Sequence, residues 1–208
     1  MLRIDHVVFA VQDLDAAATR VLEELGLASV PGGVHPHWGT GNRIIPLGDT
    51  QYLELLAVID PSVAATTNLG RTLQALTADG DAWFAMCLAT DEIDAVAARV
   101  GLDVVAGSRS LPDGRLVSWR GAGIEAPART PDLPFFIAWD MPEELHPGAT
   151  PIEHPCGATG IDWVEIDGDQ ARFTDWVDGA PLPVRLHTGE PGVRAVSLQT
   201  GRGQLVWR

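Results

Sequence analysis

Basic residues are scarce in this chain. Its 208 residues include 14 of them against 28 acidic ones, a net charge of −14. That balance argues against a nucleic-acid surface, which needs clustered cations, and disfavours anionic membranes. No apolar run approaches the roughly 18–20 residues that span a bilayer. The chain opens directly on a strand pattern, with no basic, cleavable leader, so cytoplasmic residence is expected. Cysteine is almost missing: Cys87 and Cys156 are the two present. Isolated pairs in cytosolic proteins are usually reduced, and free thiols are expected here. Tyrosine occurs once, against seven tryptophans. Also absent are a Gly-x-Ser-x-Gly elbow, a phosphate-cradling glycine loop with Lys, and a Cys-x-x-Cys pair. Gly39-Thr-Gly41 alone is too little for nucleotide binding.

What is present reads as repeated strand–helix–strand units. Leu2 to Val11 is a nearly continuous apolar run rich in β-branched residues, as a buried strand requires. Asp13 or Asp15 can cap the helix that follows, whose apolar face is Leu14, Ala18, Val21, Leu22 and Leu25, and Gly26 ends it. Leu27 to Val34, Asn42 to Leu47 and Gln51 to Ala57 read as three more strands, the last two joined at Gly48 to Thr50. After a connector with a short helix capped by Asn68, the pattern restarts at Trp83 to Ala89, with Asp91 as cap of the next helix. Ala10 to Ala16 and Ala89 to Ala95 are visibly alike. Leu102 to Ser110 and Arg115 to Gly121 flank a turn at Pro112-Asp-Gly114, and Leu133 to Trp139 completes a second unit. A third, weaker copy runs from Gly160 through a stunted helix at Asp169 to Trp176 and on to Trp207. The expected divisions are 1–60 for the first βαβββ module, 61–81 for a helical connector, 82–142 for the second module and 143–208 for a degenerate third. The fold class is α+β, with two modules side by side forming a curled mixed-sheet cup, and ligands are expected inside the cup.

Leu2 to Asp15, His35 to Gly48, Tyr52 to Leu55 and His154 to Gly160 together resemble the vicinal oxygen chelate superfamily, and within it the glyoxalase-like domain proteins. The resemblance covers about residues 2–165. It implies paired modules around a site where a divalent ion (Zn, Ni, Mn or Fe) is chelated by adjacent oxygens of a substrate and stabilises an anion as a Lewis acid. The family pattern places one ligand on the first strand and one on the last strand of each module. In the first module these positions match His6 and Glu54. In the second, the position matching His6 is Ala85, and Phe135 to Trp139 offers no ligand; in the third copy the positions are Trp163 and Trp207. Half of a four-ligand site is therefore visible.

The candidate residues have separate physical cases. Strand alternation puts Ile4, His6 and Val8 on one face. Glu54, between Leu53 and Leu55, is costly to bury unless paired or metal-bound, with Arg43 across the hairpin as a candidate ion-pair partner. It is also the candidate catalytic base. His35 and His37, either side of Pro36, point the same way on an extended segment; His37 is a candidate substrate contact and the first candidate for a missing metal ligand, and His154 is the second. Trp38 is a candidate pocket wall. Asn42 and Arg43 follow a flexible Gly-Thr-Gly segment, and Arg43 can hold a substrate carboxylate. Trp119 and Trp139 can stack on a ligand, and Arg109 and Arg120 are weaker anion-site candidates. Three readings follow. One is a metal-assisted isomerase or lyase acting on a small oxygenated metabolite. Another is a metal-free small-molecule-binding protein. The third is an Fe-dependent ring-cleaving dioxygenase, which needs a second His. Exposed sheet edges in the third copy make a homodimer a further expectation.

Overall fold

The buried apolar run at the N-terminus becomes the central strand β1 (Arg3–Ala10). We describe it and the rest of the chain from a computed structural model covering residues 1–48, 50–110 and 116–208, without the side chains of Arg109 and Ser110. The expected turn at Pro112-Asp-Gly114, Asp49 of the first hairpin, Arg115 and the side chain of Arg109 lie outside the described residues.

Helix α1 (Leu14–Leu25) follows, with the Asp13 carboxylate accepting from the backbone N–H groups of Asp15 and Ala16 and Gly26 closing it in the left-handed conformation. Strands β2 (Val30–His35), β3 (Thr40–Pro46) and β4 (Tyr52–Val58) complete the first unit. Helices α2 (Pro61–Ala64) and α3 (Asn68–Leu76) connect it to the second. There the cap falls one residue earlier than expected: Thr67, not Asn68, accepts from the Gly70 N–H. The second unit is β5 (Ala82–Ala89), α4 (Ile93–Val100), β6 (Val104–Ser110), β7 (Leu116–Ala122) and β8 (Phe135–Trp139). Asp91 does not cap α4; Glu92 stands at that position without a side-chain bond. The C-terminal part contributes β9 (Ala158–Asp167), α5 (Gln170–Trp176), β10 (Val184–His187), β11 (Gly192–Thr200) and β12 (Gly203–Trp207).

Among the described residues the strands form an eight-stranded sheet, β2-β3-β4-β1-β5-β8-β7-β6, and a four-stranded sheet, β10-β9-β11-β12. In both of the first two units the opening strand pairs parallel with the closing one: β1 with β4, and β5 with β8. The units join through antiparallel β1 and β5, and the result is the curled mixed-sheet cup. The C-terminal part keeps the element order but not the pairing. Its opening strand β9 lies parallel to β10 and antiparallel to β11, with β12 at the edge. Trp163 and Trp207 therefore do not occupy positions equivalent to His6 and Glu54. Trp207 packs on Phe9 and Trp83, on the convex side of the large sheet, and Trp163 lies under the guanidinium of Arg185.

Two apolar clusters sit on opposite faces of the large sheet. The convex one includes Val7, Phe9, Leu53, Leu55, Met86 and Leu88 and is continuous with the C-terminal sheet through Val164, Val196 and Leu198. The concave one holds Val8, Leu56, Phe84, Phe135 and Ile137. Alternation along β4 thus sends Leu53 and Leu55 outward and Tyr52, Glu54 and Leu56 into the cup.

Candidate functional site

Asp5 breaks the alternation of β1. Ile4 pairs with Leu88 and His6 with Cys87, so two residues of β1 stand against one step of β5. This is a β-bulge. Ile4 goes to the convex cluster while His6 joins Val8 in the cup, and the shared face expected for Ile4 and His6 is not formed.

The bulge brings Asp5 and His6 together. His6 Nδ1 lies 2.6 Å from Asp5 Oδ1. The other oxygen, Oδ2, accepts from Trp139 Nε1 at 2.8 Å and lies 3.2 Å from His146 Nε2. The Gly148 N–H donates to His146 Nδ1 at 3.0 Å, so the His146 ring proton is on Nε2 and points at Asp5. Burial pushes the Asp5 carboxyl up, but the hydrogen bonds it accepts from His146 and His6 outweigh it and hold it at about 2. An ionised Asp5 keeps the His6 proton on Nδ1 and turns the Nε2 lone pair into the cup.

Across from it stands Glu54, 8% exposed. Its Oε1 accepts from Asn42 Nδ2 at 2.5 Å, and Asn42 Oδ1 in turn accepts from the Gly33 N–H at 2.6 Å. Its Oε2 faces His6 Nε2 at 3.6 Å. That is too long for a hydrogen bond. Two ligand bonds of about 2.0–2.2 Å at a tetrahedral angle set their donor atoms about 3.3–3.6 Å apart. Two electron-pair donors so placed, each with its other atom tied back, fit a shared divalent ion. His6 is further fixed by Tyr52, stacked on it at 4.4 Å, and by the edge contact of Phe135 at 5.5 Å.

Asp5, His6 and Cys87 form a group that could also hold a metal ion. In it the Asp5 oxygens already accept from three side chains. Burial, with Asp5 and Glu54 nearby, pushes the Cys87 thiol up, against the thiolate that a metal needs.

Among the described residues the second unit has no such donors at the matching positions. The Val11 N–H to Leu56 carbonyl bond recurs as Thr90 N–H to Ile137 carbonyl. That correspondence makes Ala85 the counterpart of His6 and Phe135 the counterpart of Glu54. Both are apolar and buried.

A cavity of ≈ 100 Å³ covers this constellation, lined by His6, Glu54, Asn42, Tyr52, Phe135 and Pro147 among others. A wider cleft of ≈ 970 Å³ lies outside it. His35, Trp38, Trp119 and Ile124 line both.

The other expected residues divide sharply. Trp38 and Trp119 are cavity walls. Asn42 lines the cavity and positions Glu54. Trp139 does not reach the cavity wall; its indole is engaged in holding Asp5. Arg43 points to the opposite face of β3, because it is adjacent to Asn42 in a strand, and binds Asp15 Oδ1 at 3.1 Å and Ser29. It neither pairs with Glu54 nor reaches the cavity. The segment after His35 is a turn, closed by the Trp38 N–H to His35 carbonyl bond, so His35 and His37 diverge. His35 lines the cavity, its Nδ1 3.0 Å from Thr40 Oγ1, while His37 is exposed in the outer cleft. His154 is a buried tie. It accepts from the Ala28 N–H at 3.1 Å and lies 2.5 Å from the Pro46 carbonyl oxygen, which leaves no nitrogen for a metal. Arg120 is held by Asp94 and Asp140. Both cysteines are free. Sequence reasoning missed Asp5, Tyr52, Cys87 and His146 as members of the site.

Residues 4–178 match the glyoxalase-like domain family. The chain belongs to that family. The fold of this glyoxalase-like protein is that of the vicinal oxygen chelate superfamily, as its N-terminal motifs suggested. No curated protein matches the chain. A solved hypothetical protein from Staphylococcus aureus is 18% identical, with a TM-score of 0.65 over 99% of this chain and 84% of that one. Methylmalonyl-CoA epimerase from Streptomyces coelicolor is 20% identical, with a TM-score of 0.45 over 66% of this chain and 92% of that one. The enzyme of that name from Mycobacterium tuberculosis is 19% identical, with a TM-score of 0.43 over 66% of this chain and 86% of that one. Among the described residues no helix is long and apolar enough to cross a membrane.

Proposed function

We propose that this glyoxalase-like protein is a divalent-metal-assisted isomerase or lyase that moves a proton next to a carbonyl of a small oxygenated metabolite in the cytoplasm. One observation carries the reading: His6 Nε2 and Glu54 Oε2 converge at 3.6 Å in a buried site, with the far atom of each side chain tied back. When bound, Zn, Ni, Mn or Fe would polarise adjacent substrate oxygens as a Lewis acid. The chain's own groups do the rest. Asp5 orients His6. Asn42 tethers one oxygen of Glu54 and leaves the other facing the cavity. That oxygen faces the cavity and is the candidate to take up and return the proton when it is not engaged as a ligand.

The test is elemental analysis of protein purified without added metal, beside the His6→Ala/Glu54→Ala double variant, followed by assay on α-keto aldehydes and 2-oxo acids. Near-stoichiometric metal in the parent, lost in the variant together with turnover, is the expected result. Full turnover in Glu54→Ala sinks the proposal.

Ala85 and Phe135 favour a second reading, a metal-free protein that binds a small molecule between the aromatic walls. It requires ligand-dependent Trp fluorescence in chelator-stripped protein. For the ring-cleavage reading, neither His37 nor His154 stands in the cavity, and the second His would have to be His35, which lines it.

A further inference from the structure

The residues between the inner cavity and the outer cleft have an unusual seating. Trp119 pairs across the hairpin with Gly107, and its indole lies directly on that residue. A methyl group at Gly107 would stand 2.5 Å from Cε2 of Trp119. Ile124 lies in the same way over Gly121, where a methyl group would stand 2.6 Å from its Cδ1. Real Cβ atoms do not approach so closely, and an indole resting on a strand cannot yield as a flexible chain end does. The Ile124 contact is with a flexible chain end that can move aside, so Gly107 is the glycine that holds back a wall of the passage, the Trp119 indole, which with Trp38, His35 and Ile124 frames the way between the compartments.

The inner cavity, at ≈ 100 Å³, has room for a few heavy atoms. The outer cleft, at ≈ 970 Å³, is as large as those that bury whole drug-sized ligands. Its described lining is largely apolar, with Trp38, Trp119, Leu102 and Val105 among the walls. Among the described residues its charged side chains are Asp103 and Glu125 against Arg129, and the chain contains no lysine. A phosphate-bearing tail would meet more negative than positive charge from the described lining.

We propose that the substrate is bipartite: a compact head with adjacent oxygens at His6 and Glu54, and an uncharged aromatic or aliphatic tail passing between Trp38 and Trp119 into the outer cleft. Gly107 is the specificity determinant that keeps the passage open. The head assignment rests on the function proposed above; the tail assignment rests on the cleft alone.

Quenching of tryptophan fluorescence by pyruvate, phenylpyruvate and 2-oxo-4-phenylbutanoate tests it, in protein supplied with Mn²⁺, with coenzyme A as the phosphate-rich comparison. The aryl acids should bind at least about tenfold tighter than pyruvate, the gain expected from burying a ring. Coenzyme A should compete poorly. Gly107→Val should cancel the aryl gain, and Trp119→Ala added to it should restore a preference for the aryl acids, which a merely misfolded variant would not do. Equal affinity for pyruvate and phenylpyruvate, effective competition by coenzyme A, or no quenching by any acid overturns the inference. An aryl preference that survives in His6→Ala/Glu54→Ala supports the tail assignment, and an aryl preference with no metal dependence in the parent leaves the fault with the head alone.

Discussion

Replacing Asp5 by asparagine tests the node that organises the site. The carboxylate accepts from His6 Nδ1, Trp139 Nε1 and His146 Nε2 at 2.6, 2.8 and 3.2 Å. Asparagine offers one acceptor oxygen, and its NH₂ group must then face a donor. Hydrogen bonds to a charged group contribute about 1.5–3 kcal/mol each, and an unpaired buried N–H costs about 1–3. Losing the charge and stranding one donor should therefore destabilise the fold by about 3–5 kcal/mol. In a chain of this length that lowers the Tm by roughly 6–20 °C in scanning calorimetry. The effect has a defined pH dependence. Folding lowers the Asp5 pKa from 3.8 to about 2, so its contribution is complete above about pH 4 and is lost as pH falls toward 2. That contribution is about 2 kcal/mol. The difference between the parent and the Asp5→Asn variant in urea unfolding should shrink through that window. With its orienting partner weakened, His6 should also hold metal about 10–100-fold less tightly. A Tm within about 2 °C of the parent at neutral pH, or a difference that stays constant down to pH 2, refutes this account.

Asn42→Ala frees one oxygen of Glu54 and should lower metal affinity or kcat/KM on the order of tenfold, with a smaller change in Tm, as titration calorimetry and kinetics would show. His154→Ala removes a tie between residues 28, 46 and 154 and should destabilise by about 2–4 kcal/mol while leaving metal content unchanged; metal loss at full stability would contradict its structural role. Native protein treated with iodoacetamide at pH 8 should be modified at Cys156 and spared at Cys87, whose thiol is fully buried and raised in pKa; peptide mass spectrometry reads the result.

Much of the fold was legible because its signals are local. The likeness of Ala10–Ala16 to Ala89–Ala95 marks two strand-to-helix junctions, and both helices begin there. The alternation of β4 correctly turned Glu54 away from the faces of Leu53 and Leu55. Alternation also carried a warning against Arg43: two neighbours in one strand, Asn42 and Arg43, cannot both face the cup. The bulge at Asp5 had no local signature, since it arises from register with a strand about eighty residues away. His146 was invisible for the same reason, meeting Asp5 across 141 positions of sequence. The turn after His35 was hidden by reading Pro36 as extended, and the turn decides which histidine reaches the cavity. The C-terminal part shows the limit of pattern matching: element order repeats, while strand pairing does not.

The seam between β1 and β5 joins a unit that carries donors to one that does not. Ala85, the counterpart of His6, pairs with Val8 across the seam, and Phe135, the counterpart of Glu54, sets its ring edge against His6. Among the described residues that line the cavity, Glu54 is the one carboxylate. In the proposed reaction that carboxylate both takes and returns the proton, so part of the substrate's own hydrogen should reappear in product made in D₂O.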